Sequence, residues 1–248
     1  MTPDNIPPPA MVLGCGRSGT SIFGEFFDHL AIYTYRSEPP FADVMNADFS
    51  SPLAFKVPRE SAGFAPDTGL SFPLARLRAA VPRMRFFWIV RHPLDAVCSL
   101  KVGIGKNWGH HPRPPGWEDW LARPLVEQCA HHWQYLNAQG FAQVSDIASL
   151  VRFEDMISDP GDFAQRVCGV LGLSYPDHQP ELASWEDRVQ NSNNARFVEA
   201  ETSRAYSRPD HSVRIQRWRE NLTAQELAQV IPIVSNTAGS FGYRLPDG

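Results

Sequence analysis

Cysteine is scarce and scattered in this sequence. Cys15, Cys98, Cys129 and Cys168 lie far apart and form no C-x-x-C pair, so neither a disulfide framework nor a zinc site is indicated, and reduced thiols and no bound metal are expected. An excess of one charge is also missing. Lys and Arg number 23 against 27 Asp and Glu, a formal net charge of -4, which gives no global electrostatic reason to bind nucleic acid or an anionic membrane surface. Any anion site must be local. No apolar run reaches the roughly 18 residues that suggest a membrane span, and the opening MTPDNIPPPA is too polar and too rich in proline for the apolar centre of a signal peptide. A cytoplasmic protein with no integral membrane segment is expected. Internal repeats are absent, and no motif speaks to oligomeric state.

What is present is enough for one large core: 248 residues, 43% of them hydrophobic, suit a single α/β domain over residues 11–248 behind a flexible extension of residues 1–10, where Pro7 to Pro9 can join neither a helix interior nor a central strand. The short apolar run Met11-Val12-Leu13 reads as a buried strand cut off by Gly14. A helix from about Ser18 to Leu30 follows, with Ile22, Phe23, Phe26, Phe27 and Leu30 on one face. A second unit comprises a helix over 72–81, the strand Phe86 to Val90, and a helix opened by Pro93, where a missing N–H is harmless. Residues 103–117, GIGKNWGHHPRPPG and its neighbours, read as a long irregular loop. Beyond it are expected a helix over 125–138, a strand over 150–153, and a helix over 161–171 closed by Gly172. Residues 176–213 are too polar to assign. Thr223 with Glu226 makes a capping box that starts a last helix through about Ser235, bent at Pro232. Alternating strands and helices imply a three-layer α/β/α arrangement around a mainly parallel sheet.

Between the first strand and the first helix stands Gly14-Cys15-Gly16-Arg17-Ser18-Gly19-Thr20-Ser21. Successive backbone N–H groups and the positive end of the helix dipole converge there, which makes the turn an anion cradle. Gly16 and Gly19 allow close backbone approach, and Thr20 and Ser21 add hydroxyl donors. A nucleotide triphosphatase would ask for G-x-x-x-x-G-K-[ST], but Gly19 precedes Thr20 and Arg17 is the loop's one cation. A glycine-rich turn without a ligand is the plain alternative.

This segment resembles the 5′-phosphosulfate loop of the sulfotransferases that use 3′-phosphoadenosine-5′-phosphosulfate (PAPS). The resemblance extends over AFKVPRES (54–61), FFWIVRHPLDAVCSL (86–100), VRFEDMISDP (151–160) and the tail from RIQRWRENLT to FGYRL. It implies a P-loop NTPase-like fold and a sulfuryl transfer from PAPS to a hydroxyl or amine of a carbohydrate, small metabolite or peptide, leaving 3′-phosphoadenosine-5′-phosphate (PAP). It also implies that Arg91, at the end of a strand, and Ser99, eight residues on, hold the 3′-phosphate, and a forked guanidinium suits phosphate oxygens. Gly16, Arg17, Ser18, Gly19, Thr20 and Ser21 would hold the 5′ end, and Arg214 and Arg217 match a late basic loop that closes over the cofactor. The loop carries arginine where cytosolic members carry lysine, so the sequence looks closer to the bacterial, carbohydrate- and tyrosine-modifying branches.

In-line attack on sulfur needs a base and cations near the oxygen that bridges sulfur to phosphate. Arg17 and Lys56 are the cationic candidates. Glu38, in RSEPPF, is the first choice of base by resemblance, and a glutamate partly withdrawn from water would accept a proton near neutrality. His110, His111, His131 and His132 compete with it, the last two more as packing residues beside Trp133. Trp108, Trp117, Trp120 and Trp185 are candidates to stack on an acceptor ring. Two other readings stay open: a kinase of the same loop architecture, and a catalytically inactive nucleotide-binding module.

Overall fold

The structure is a computed structural model, and it describes residues 6–59, 68–190 and 215–246. Five strands, β1 (Ala10–Gly14), β2 (Thr34–Ser37), β3 (Leu53–Lys56), β4 (Arg85–Val90) and β5 (Ala148–Arg152), form one sheet in the order β2-β3-β1-β4-β5. Every pairing is parallel, with Val12 opposite both Lys56 and Phe87. The central strand β1 is buried along its whole length, as a strand covered on both faces must be.

Side-chain alternation sorts the strands into two cores. Ala10, Val12, Phe87 and Ile89 face one layer, and Met11, Leu13, Phe86 and Trp88 face the other. The first layer holds α1 (Thr20–His29), α8 (Phe153–Ser158), α9 (Pro160–Leu171) and α10 (Tyr175–Gln190). Its centre is aromatic: Phe23 meets Phe87 and Phe163 edge-on at centroid distances of 5.3 and 5.1 Å. The second layer holds α3 (Leu74–Ala80), α4 (Pro93–Ile104), α6 (Leu125–Tyr135) and the last helix, Ala224–Ser240. Short helices α2 (Phe41–Met45), α5 (Trp117–Trp120) and α7 (Phe141–Val144) fill the connections. No helix among the described residues is long and apolar enough to cross a membrane.

Several sequence expectations change in detail. Residues 176–190, read as unassignable, belong to α10. Leu182, Trp185 and Val189, spaced three and four apart, are its buried stripe, and the Trp185 indole donates to the Ile22 carbonyl at 2.8 Å. Strand β5 stops at Arg152, so Phe153 opens a helix instead of ending the strand. Helix α4 takes Gly103 and Ile104 from the expected loop. The edge strand β2, short and largely exposed, was not expected. The capping box is formed in both directions, Glu226 N to Thr223 Oγ1 at 3.2 Å and Thr223 N to Glu226 Oε2 at 2.9 Å. Its helix accommodates Pro232 and runs to Ser240, beyond the expected end. At the other terminus, Pro8 and Pro9 are tied to the sheet by the Tyr33 hydroxyl at 2.8 Å and the Arg85 amide at 2.7 Å. All four cysteines are free and buried.

Candidate functional site

The loop after β1 leads to a helix on one face of the sheet, whereas β3 and β4 are followed by helices on the other. Crevices therefore open beside β1 at the carboxyl edge, where open parallel sheets bind ligands. Arg17, Glu38, Lys56, Arg91 and Ser99 come together at this edge.

The β1–α1 turn is tight. Ser18 N donates to Cys15 O at 3.1 Å and the Ser18 side chain is fully buried, so Ser18 turns into the protein. Gly19, at φ 96°, is the N-cap and carries no side-chain cap bond. The first-turn amides of α1 have no intrahelical acceptor, and the helix places no acidic residue beside them. Arg17 is held at φ 67°. Its Nε donates to Ser99 Oγ at 3.1 Å, and its carbonyl accepts from Arg91 Nη1 at 3.2 Å. The two anion clamps expected from sequence are thus one connected cluster.

Arg91 and Arg217 are both almost fully buried. Asp95, in the first turn of α4, fixes the second of them by accepting from the Gln216 and Trp218 amides at 2.8 and 3.0 Å. Burial pushes the Arg91 guanidinium below its ordinary range; Asp95 opposes this and Arg217 adds to it. Clustered guanidiniums with a serine hydroxyl and helix-start amides are the donor types that suit an anion of more than one charge. Arg91 also stacks over Phe153, 4.3 Å from the ring centroid. Arg214 lies outside the described residues.

On the other side of the loop, β2 and β3 bring Glu38 and Lys56 together. Glu38 N donates to Lys56 O at 2.9 Å, Lys56 Nζ lies 2.6 Å from Glu38 Oε1, and the same ammonium donates to Ser21 Oγ at 3.0 Å. Lys56 is buried while the Glu38 side chain is 54% exposed. A cavity of about 440 Å³ opens here, lined by Gly14, Gly16, Thr20, Glu38, Arg59 and His110 among others.

His110 comes from the long loop after α4. Its ring packs against Gly16, where an added Cβ would stand 3.1 Å from Nδ1, and against Gly103, where one would stand 2.2 Å from Nε2. Burial, with Arg17 and His111 adding, pushes its imidazole down to about 4. His131 and His132 are packing residues: His131 stacks on Trp120 at 4.0 Å, and His132 Nδ1 accepts from Trp108 Nε1 at 3.2 Å. Trp108 and Trp185 are fully buried, so neither offers a stacking face. Glu154 accepts from His92 N and from the Tyr243 hydroxyl, each at 2.8 Å, a structural role for the segment after β5. Two functional features escaped sequence reading: the anchoring by Asp95, signalled only by an acid four residues after Arg91, and the side of the loop on which His110 falls.

A family model described as the sulfotransferase family matches residues 66–177. No curated protein matches the chain significantly. Among solved structures, the fold is similar to a sulfotransferase domain from the curacin biosynthetic pathway, with TM-score 0.59 and 14% identity over 97% of this chain and 99% of that one. It is also similar to a mouse sulfotransferase complexed with PAP, with TM-score 0.58 and 14% identity over 94% and 85% of the two chains. A third is a sulfotransferase from Mycobacterium avium, with TM-score 0.54 and 13% identity over 97% and 78%.

Proposed function

We propose that this chain is a sulfotransferase that moves the sulfuryl group of PAPS to a hydroxyl or amine of an acceptor seated in the cavity beside Glu38. The observation that carries the reading is the joined cluster of Arg17, Ser99, Arg91 and Arg217 at the carboxyl edge. A ligand with phosphate groups at two separated positions satisfies such a cluster better than a single phosphate does. The α1 amides, Thr20 and Ser21 take the 5′ end, Arg91, Ser99 and Arg217 take the 3′-phosphate, and Arg214 extends that grip. The solved mouse relative is itself a complex with PAP.

When bound, PAPS supplies the activated sulfur. The chain's own residues bind, orient and neutralise. Arg17 and the loop amides would hold the 5′-phosphate and offset the charge that it gains as leaving group. Lys56, fixed by Ser21 and Glu38, would offer its ammonium to that growing charge, and Glu38 is the carboxylate at hand for the acceptor's proton. No step asks for a metal, and the buried free thiols suit a cytoplasmic setting.

Calorimetric titration with PAP in metal-free buffer tests the reading, with 5′-AMP, ATP and ATP plus Mg²⁺ as comparators. Binding is expected to need the 3′-phosphate, to ignore Mg²⁺, and to weaken about 10- to 100-fold in Arg91→Ala, as loss of charge-assisted bonds to a phosphate implies. Preference for ATP with Mg²⁺ would replace the reading with a kinase, and no binding of any nucleotide would leave an inactive module.

A further inference from the structure

Besides histidines, the described wall of the cavity carries one acidic and one basic side chain, Glu38 and Arg59. Their surroundings differ. Glu38 is 2.6 Å from the Lys56 ammonium, which also bonds Ser21 of the phosphate turn, so its charge is already matched. Arg59 is exposed, and no carboxylate pairs with it. Its backbone, however, is built into the fold. Arg59 N donates to Pro39 O at 2.8 Å, in a parallel bridge that sets Arg59 beside Pro40, and the buried Ser71 Oγ donates to Pro58 O at 2.7 Å. The segment that carries Ser71 is anchored in turn. Gly69 N donates to the Tyr135 hydroxyl at 3.1 Å, and Gly69 and Gly140 pack so closely that a Cβ on either would stand 2.5 or 2.7 Å from the other's backbone. With Glu38 and Lys56 taken as a pair, the cavity wall keeps one unmatched cation on a fixed backbone.

We propose that the acceptor is a small hydroxy or amino compound that also bears a carboxylate, and that Arg59 is the residue that selects it. The inference rests on the sulfotransferase reading and deepens it by naming an acceptor class. A single guanidinium fork matches one carboxylate, whereas a doubly charged phosphate is better met by several donors, as in the cofactor cluster. An anionic acceptor brought beside an anionic donor is repelled unless a cation stands by it, and Arg59 supplies that cation. The cavity volume, about 440 Å³, suits a small molecule. No Phe, Tyr or Trp is among the described residues of its wall, which favours an aliphatic acceptor over a stacked ring. Arg59 holds a part of the acceptor that does not react, so no bond is made or broken at it and no proton passes through it.

The test uses a ladder of ω-hydroxy acids, from hydroxypropanoate to hydroxyoctanoate, with the matching ω-hydroxy amides and amines. The protein is first saturated with PAP, which fills the cofactor cluster, and each compound is then titrated by NMR. At the best-fitting length the acid is expected to bind about 10-fold tighter than its amide, and added salt should shrink the difference. Arg59→Met should abolish the preference while PAP and amide affinities stay unchanged. Arg59→Glu should turn the preference towards the amine, an effect that a merely structural role would not produce. With PAPS in place of PAP, the same ranking is expected in kcat/KM. Equal affinity for acid and amide at every length, absence of binding included, overturns the proposal. So does a preference that survives Arg59→Met, a loss of PAP affinity in that variant, or an acid that competes with PAP instead of adding to it. Failure of wild type to bind PAP would instead sink the functional reading itself.

Discussion

Among the described residues, the non-glycine positions with positive φ are Arg17, Glu38, Val57, Asn107, Trp108 and Gln216, and the first three lie in the phosphate turn or line the cavity. Asn107 and Trp108 lead into the turn that carries His110, and Gln216 precedes Arg217. A left-handed backbone costs an L-residue about 1–2 kcal/mol, and such strain collects where function fixes a side chain. Arg17→Gly therefore separates stability from binding. Its unfolding free energy in urea should rise by up to about 1 kcal/mol, while PAP affinity falls about 10-fold or more. A fall in stability would mean that the contact with Ser99 outweighs the backbone cost. At this scale much was legible: Arg91 at a strand end, Ser99 two turns into the next helix, and the glycine-rich turn each follow from local spacing. The pairing of Lys56 with Glu38 was not, because it depends on the register of β2 on β3. Nor was the slot of His110, which exists only where Gly16 and Gly103, distant in sequence, face the same ring.

Helix α4 works at both ends. Its N-terminal Asp95 binds the backbone of residues 216–218, and its buried Lys101 pairs with Glu226 of the last helix at 2.8 Å. Arg91, two residues before α4, and the late segment that carries Arg217 are therefore tied to one element. Asp95→Asn can keep one amide bond and must weaken the other. The expected cost is about 1–3 kcal/mol in unfolding free energy, with several-fold weaker PAP binding and faster proteolysis around residue 215. Unchanged proteolysis would show that Arg217 is held by other contacts. Elements with strong signals, α1, β4, α4 and the capped last helix, were legible because apolar periodicity and caps agree. Helix α10 was hidden because three buried residues in sixteen, with Pro176 and Pro180 among them, give little amphipathic contrast. Strand β2 was hidden because an exposed edge strand of four residues has no apolar alternation to read.

For the whole molecule, the alternation of strands and helices was sufficient to give a parallel sheet between helical layers, but not the strand order, which no local pattern encodes. The assembled fold has a titration property that composition does not show. Burial holds His110, His131 and His132 below their ordinary value, His110 at about 4, whereas in the unfolded chain each titrates near 6.5. Between those values the unfolded chain binds more protons, so stability falls as pH drops through the window. Urea midpoints measured from pH 7 to 5, where most carboxylates stay ionised, should decline steadily, and His110→Asn should make the decline shallower. A flat wild-type profile would show that these rings admit protons without opening the fold.

The cysteines give the molecule a chemical clock. Burial pushes the Cys168 thiol up to about 11, that of Cys98 to about 12, and those of Cys15 and Cys129 higher still. The thiolate is the reactive form, so a sulfhydryl reagent at neutral pH meets four inert groups. Cys15 stands in the phosphate turn itself, Cys98 in α4 beside Ser99, and Cys168 in α9 on the far layer. The order in which they become alkylated is thus a record of which layer opens first, read from residues that the chain already carries.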